Sequence, residues 1–137
     1  MTISKQTAYK IYMDIRATGA YPHLLTCKEL EDLRKIYGWD VNGCGACSWQ
    51  SYFLTKPFWL GGISLRKACN RHDSLYAIGG VEEDRIAADR QFRMDIDSIC
   101  RRRFSWLWRI GIRYGSLTSS AYYRVVRDEG RKHFNYM

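Results

Sequence analysis

Two short phrases hold most of the residues in this chain that could do chemistry. Cys69-Asn70-Arg71-His72-Asp73-Ser74-Leu75-Tyr76 sets an imidazole beside a carboxylate, and Ala88-Asp89-Arg90-Gln91-Phe92 follows with a second carboxylate. An imidazole can take a proton from water near neutral pH. A carboxylate bonded to one ring nitrogen leaves the other free to act as the base. A further carboxylate is a ligand for a hard cation. Base, orienting acid and metal ligand are together the parts of a hydrolytic site.

Helical spacing decides whether these groups can meet. Leu65, Ala68, Cys69, His72, Leu75 and Tyr76 form one face of a helix expected over about 65–78, which Ser64 can cap and Gly79-Gly80 breaks. A second helix, expected over about 82–102, turns inward Ile86, Asp89, Phe92 or Arg93, Ile96 and Ile99. A charge on an apolar face is costly unless it is paired. The short glycine turn makes the two helices antiparallel. His72 and Asp89 both fall in the halves nearest that turn, so they are expected to face each other. Asp73 is the next residue, about 100° further round, and should face the stretch from Trp39 to Gly62. There the helical period fails and four glycines and Pro57 mark a long loop. Its segment Asp40-Val41-Asn42-Gly43-Cys44-Gly45 offers small residues and bare carbonyls beside a carboxylate, which suits calcium.

The rest of the chain also reads as helical. Ala8, Ile11, Tyr12 and Ile15 give the spacing of a helix over about 4–17. Thr26-Cys27-Lys28-Glu29 is a capping box for a helix through Tyr37, with Gly38 as its stop. A segment from Phe104 to Tyr114 and a last helix over about 118–131 complete an all-α scaffold. At 137 residues, 46% hydrophobic and 15% aromatic, the chain is expected to form a single domain with a real core rather than a disordered segment. A net charge of +8, with Arg101-Arg102-Arg103 ahead of Arg109 and Arg113, favours an anionic partner. Met1 to Thr18 lacks the apolar core of a secretory signal, because Lys5, Lys10, Asp14 and Arg16 interrupt it. No apolar run is long enough to span a bilayer. The five cysteines, at 27, 44, 47, 69 and 100, send a mixed message about redox compartment.

Cys69, His72, Asp73 and Tyr76 form a Cys-x-x-His-Asp-x-x-Tyr phrase that resembles the signature of the phospholipase A2 superfamily, nearest to its short prokaryotic, fungal and viral branches. Trp39-Asp40-Val41-Asn42-Gly43-Cys44 resembles the prokaryotic Trp-x-x-Asp-x-Cys pattern. Arg85-Ile86-Ala87-Ala88-Asp89-Arg90-Gln91-Phe92 resembles the second-helix motif in its looser form, and Tyr122-Tyr123-Arg124-Val125-Val126 a terminal helix. The likeness spans about 39–130, with residues 1–38 as preceding helices. It implies that His72 activates water against the sn-2 ester of a glycerophospholipid, that Asp89 orients His72, and that Tyr76 braces the site. It further implies that Asp73 and the carbonyls around Gly43 and Gly45 bind Ca2+, and that Cys44 pairs with Cys69 in a disulfide. Asn42 stands where the prokaryotic pattern has an aspartate, so calcium affinity should fall, with Asp40 as a substitute ligand. The expected partner is a phospholipid surface, with no obligatory nucleic acid. Trp49 and Trp59 are the rings expected near an acyl-chain channel. The absent signal, with the viral-type Asp89 motif, points to carriage in a virus or phage particle or to release by another route.

Two other readings use the same residues. Cys44, Cys47, Cys69 and His72 have the form of a tetrahedral zinc set, which on a basic chain would stabilise a nucleic-acid binder. Alternatively, the fold could bind lipid or a protein without catalysis, with Asn42 marking a calcium-poor site.

Overall fold

Side-chain caps open the first two helices. In the computed structural model, which describes residues 3–41, 65–103 and 114–137, the Ser4 hydroxyl accepts from the Thr7 N–H at 3.1 Å and starts α1, Lys5–Ala17. Ala8, Ile11, Tyr12 and Ile15 are the buried residues of α1, the face that the periodicity selects. At α2, Cys27–Tyr37, the reciprocal Thr26 and Glu29 bonds of a capping box are both present at 3.1 Å. Gly38 ends α2 with φ 81°, a left-handed conformation that favours glycine.

Three further helices follow: α3, Arg66–Ile78; α4, Glu82–Arg103; and α5, Tyr114–Glu129, which runs into a 3-10 turn at Gly130–Lys132. The residue before α3 is Leu65, which supplies no side-chain cap; the Ser64 cap lies outside the described residues, as do residues 104–113 and their expected segment. The last helix begins at Tyr114, four residues before the expected start at 118. Gly115 and Ser116 occupy its first turn, where backbone N–H groups have no helical partner. Among the described residues there is no β-strand, and the scaffold is all-α.

Cross-helix contacts fix the directions. His72 meets Asp89 and Arg71 meets Asp95, so α3 and α4 run antiparallel. Asp89 meets Arg127, Phe92 meets Tyr122 and Asp97 meets Ser119, so α5 runs antiparallel to α4. The N-terminal elements lean on α3. The Trp39 indole donates to the Ser74 hydroxyl at 3.0 Å, and Arg71 donates to the His23 and Leu25 carbonyls at 3.2 and 2.9 Å.

The apolar interior forms two clusters. One joins Ile11, Tyr12, Leu30, Trp39, Leu75, Ile78 and Phe134; the other joins Leu65, Ala68, Cys69, Phe92, Ile96 and Tyr122. Along α3 the second cluster gives way to the first at His72, and along α4 the change occurs at Asp89. The polar pair therefore lies at the seam between two packed regions.

The tail beyond α5 closes over the α3–α4 turn. Gly80 N–H donates to the Asn135 carbonyl at 3.2 Å, and Met137 N–H donates back to Gly80 at 3.0 Å. Gly79 has φ 75°, and a Cβ there would lie 1.8 Å from the Asn135 carbonyl oxygen. Only glycine allows the tail to approach this closely.

Candidate active site

His72 projects from the middle of α3 into the seam and is 7% exposed, while Asp89 from α4 is fully buried. His72 Nε2 lies 2.8 Å from Asp89 Oδ1. An ionised carboxylate only accepts hydrogen bonds, so this nitrogen carries the proton. Nδ1 makes no hydrogen bond among the described residues. The ring is held from both sides, stacked on Phe92 with centroids 4.5 Å apart and tilted against Tyr76 at 4.2 Å. The tautomer and plane of the imidazole are thus set by one acceptor and two rings.

Tyr76, one helical turn after His72, donates its hydroxyl to the same Asp89 oxygen at 2.7 Å. Burial, and then the adjacent Asp89 charge, push this phenol well above its ordinary range, so it remains a neutral donor. A Cβ on residue 130 would lie 2.4 Å from the Tyr76 hydroxyl oxygen, so glycine makes room for it.

The other Asp89 oxygen faces two guanidinium groups. Arg127 Nη1 from α5 donates to Oδ2 at 2.8 Å, and Arg85 Nη1 lies 3.6 Å away. Arg85 is 1% exposed. It donates to both Glu82 oxygens, at 3.0 and 2.9 Å, and to the Val126 and Arg127 carbonyls. Arg127 also donates to Glu82 at 3.1 Å, and Tyr136 donates to the remaining Glu82 oxygen. The bonds from Arg85, then Tyr136, pull the Glu82 carboxyl down to about 2. Burial works against the Arg127 charge, but its bonds to Asp89 and Glu82 hold it above its usual value.

The inward face of α4 departs from expectation near its two ends and follows it between them. Ile86 is only half-buried, and the buried residue there is Arg85; Ile99 is half-buried, and the buried residue there is Cys100; of the alternatives Phe92 and Arg93, Phe92 takes the inward position and Arg93 is exposed. The reason at Arg85 is the polar seam: Asp89 and Glu82 attract its guanidinium inward, while Asp89, Phe92 and Ile96 keep their expected inward positions. The sequence motifs give no site role to Arg85, Arg127, Glu82 or Tyr136. Glu82, Arg85 and Asp89 are spaced three and four apart, a helical charge pattern visible in the sequence. Nothing local marks Arg127 or Tyr136.

The expected metal ligands divide into two groups. Asp73 is half-buried on α3 and Asp40 is exposed just after Trp39; Asn42, Gly43 and Gly45 lie outside the described residues. Among the described residues no group of three or more His, Cys, Asp or Glu is arranged to hold a metal ion. Those residues alone do not make a calcium cage. Cys69 is disulfide-bonded, which removes a thiolate from the zinc set of Cys44, Cys47, Cys69 and His72. Its expected partner Cys44, the remaining zinc ligand Cys47, and the rings Trp49 and Trp59 are outside the described residues. Cys27 and Cys100 are free thiols, and burial pushes the Cys100 thiol up to about 11. No described helix is long and apolar enough to cross a membrane.

No family model, curated protein or solved structure matches the chain. The candidate site therefore rests on its own geometry. It holds an imidazole through Nε2, over a carboxylate braced on both oxygens, with Nδ1 turned to no partner among the described residues.

Proposed function

We propose that this chain is a phospholipase A2-like hydrolase that cleaves the sn-2 ester of glycerophospholipids and depends on calcium. The observation that supports the reading is the 2.8 Å His72–Asp89 contact, made by a fully buried carboxylate whose only role toward the ring is to accept Nε2–H. In the proposed reaction, Nδ1 takes a proton from a water as its oxygen attacks the ester carbonyl. Asp89 stabilises the imidazolium that forms, and the proton then passes to the leaving lysophospholipid alcohol. Calcium would supply positive charge for the ester oxygen. Asp73 is the described residue nearest His72 in sequence that could bind it, with Asp40 and the residue 42–45 loop as further donors. A Cys44–Cys69 disulfide would tie that loop to α3. The charge of +8 suits an anionic lipid surface. Virus- or phage-particle carriage, or extracellular release, is the setting that fits the viral-type Asp89 motif.

The test is fatty-acid release from mixed-lipid vesicles with calcium and then with a chelator. Release with calcium and its loss with chelator are expected, and His72→Ala should lower the rate by about 100-fold or more with helical content unchanged. Wild-type rates in His72→Ala would overturn the role assigned to the imidazole.

A second reading has one observation in its favour. Arg127 completes the bonding of Asp89 and the Arg85 charge lies near it, as a purely structural polar knot would require. Vesicle binding without hydrolysis would select this non-catalytic module.

A further inference from the structure

We propose that Arg127 is a positioning residue that holds Asp89 in the one orientation in which it can orient His72. The proposal deepens the hydrolase reading and rests on it for its kinetic consequences, but its geometric content stands independently. A carboxylate turns readily about its last side-chain bond, because that torsion has a broad, two-fold profile. Asp89 is on a helix surrounded by groups that could bond either oxygen. Its orientation is therefore fixed only if the two oxygens have different partners.

They do. Oδ1 receives His72 Nε2 at 2.8 Å and the Tyr76 hydroxyl at 2.7 Å, both from α3. Oδ2 receives Arg127 Nη1 at 2.8 Å, from α5. The carboxylate is drawn toward opposite helices by its two ends, so neither oxygen can swing without breaking a charge-assisted bond. Arg85 cannot replace Arg127. Its nearest nitrogen is 3.6 Å from Oδ2, and its other bonds go to Glu82 and to the α5 carbonyls.

Arg127 is held in turn. Its second nitrogen donates to Glu82 Oε1 at 3.1 Å, and Glu82 is gripped by Arg85 and by Tyr136 from the tail. The carboxylates of Glu82 and Asp89 balance the guanidinium groups of Arg85 and Arg127. This balance lets the set persist in a seam where an unpaired charge would be costly. It also connects the imidazole to the tail through four side chains in sequence: Asp89, Arg127, Glu82 and Tyr136.

The experiment compares the full chain with Arg127→Gln, Arg127→Lys and Glu82→Gln. Two readouts are needed: kcat and KM for fatty-acid release from anionic vesicles, and the hydrogen-bonded His72 Nε2–H resonance by proton–nitrogen NMR. Arg127→Gln should lower kcat roughly 10- to 100-fold with KM within about twofold, and should weaken or broaden the resonance. Arg127→Lys, which keeps a cation at Oδ2, should recover most of both. Glu82→Gln, which loosens Arg127 without touching Asp89, should lower kcat less than Arg127→Gln. An unchanged kcat and resonance in Arg127→Gln would overturn the proposal, as would a lysine variant no better than glutamine. If Arg127→Gln does not fold, Glu82→Gln decides: an unaltered resonance there rejects the clamp. If the parent chain releases no fatty acid, the hydrolase reading fails, and the resonance alone judges the role of Arg127.

Discussion

Asp84 and Asp89 are buried carboxylates on α4, and each accepts a tyrosine hydroxyl: Tyr12 at 2.8 Å for Asp84 and Tyr76 at 2.7 Å for Asp89. They differ in what satisfies the rest of the group. Asp84 Oδ2 also accepts the Val81 N–H at 3.0 Å, so it caps the helix from its third position, where the helix dipole favours a negative charge. Asp89 lies inside the helix, has no free backbone donor within reach, and is served by side chains from α3 and α5. The first is a local device that any helix start could use. The second exists only because three helices converge, and it is the one bonded to an imidazole.

Removing each carboxylate tests this difference. Asp89→Ala leaves Arg127 and Arg85 short of a counter-charge in the seam and should cost about 3–5 kcal/mol. Any lipid hydrolysis should be lost with it. Asp84→Ala removes a cap partner and strands the Tyr12 hydroxyl, at about 2 kcal/mol. The kcat of the folded Asp84→Ala protein should match the parent. Urea unfolding with vesicle assays checks both. Equal stability losses would show that Asp89 is no more than a second cap, and lost activity in Asp84→Ala would erase the distinction.

The same contrast explains what was legible in the sequence. Caps, stops and stripes are local: Thr26 with Glu29, Gly38, and the α1 and α3 faces all follow from spacing within a few residues. The His72–Asp89 meeting was also legible, because two polar residues interrupted adjacent apolar stripes across a short turn. The guanidinium side of the site was not. Arg85 reads as one more surface charge until Asp89 and Glu82 are seen to draw it inward. Arg127 follows Val126 on a helix whose rotation relative to α4 is set by packing. The close approach of Gly130 to Tyr76 depends on where α5 ends, which no residue near position 76 encodes.

The paired tyrosines sharpen the comparison at smaller scale. Tyr76→Phe deletes the donor to Asp89 Oδ1 without opening a cavity. A hydrogen bond to a charged group contributes about 1.5–3 kcal/mol, and Tyr12→Phe should cost a similar amount at Asp84. Thermal unfolding should therefore rank the two variants together. Activity should separate them: Tyr76→Phe loosens the carboxylate that orients His72 and should lower kcat severalfold, whereas Tyr12→Phe should not. A Tyr76→Phe enzyme with parental kcat would mean that the His72 and Arg127 contacts suffice to hold Asp89.

The smallest expected effect is a pH window. In the folded chain Glu82 is held down to about 2, against an ordinary 4.5, chiefly by its bonds to Arg85 and Tyr136. A depressed carboxyl stabilises the fold above its unfolded value and loses that contribution as pH falls through its folded value. The contribution is thus complete above about pH 4.5 and disappears toward pH 2. Glu82 is partly open to solvent, so the effect should be modest and should shrink in high salt. Denaturation midpoints of the parent and Glu82→Gln, followed from pH 6 to pH 2, measure it by difference. The two curves should lie apart at the upper end and converge as the pH falls. Parallel curves over the whole range would mean that Glu82 does not charge-balance the arginines, and that the tail reaches Asp89 by packing alone.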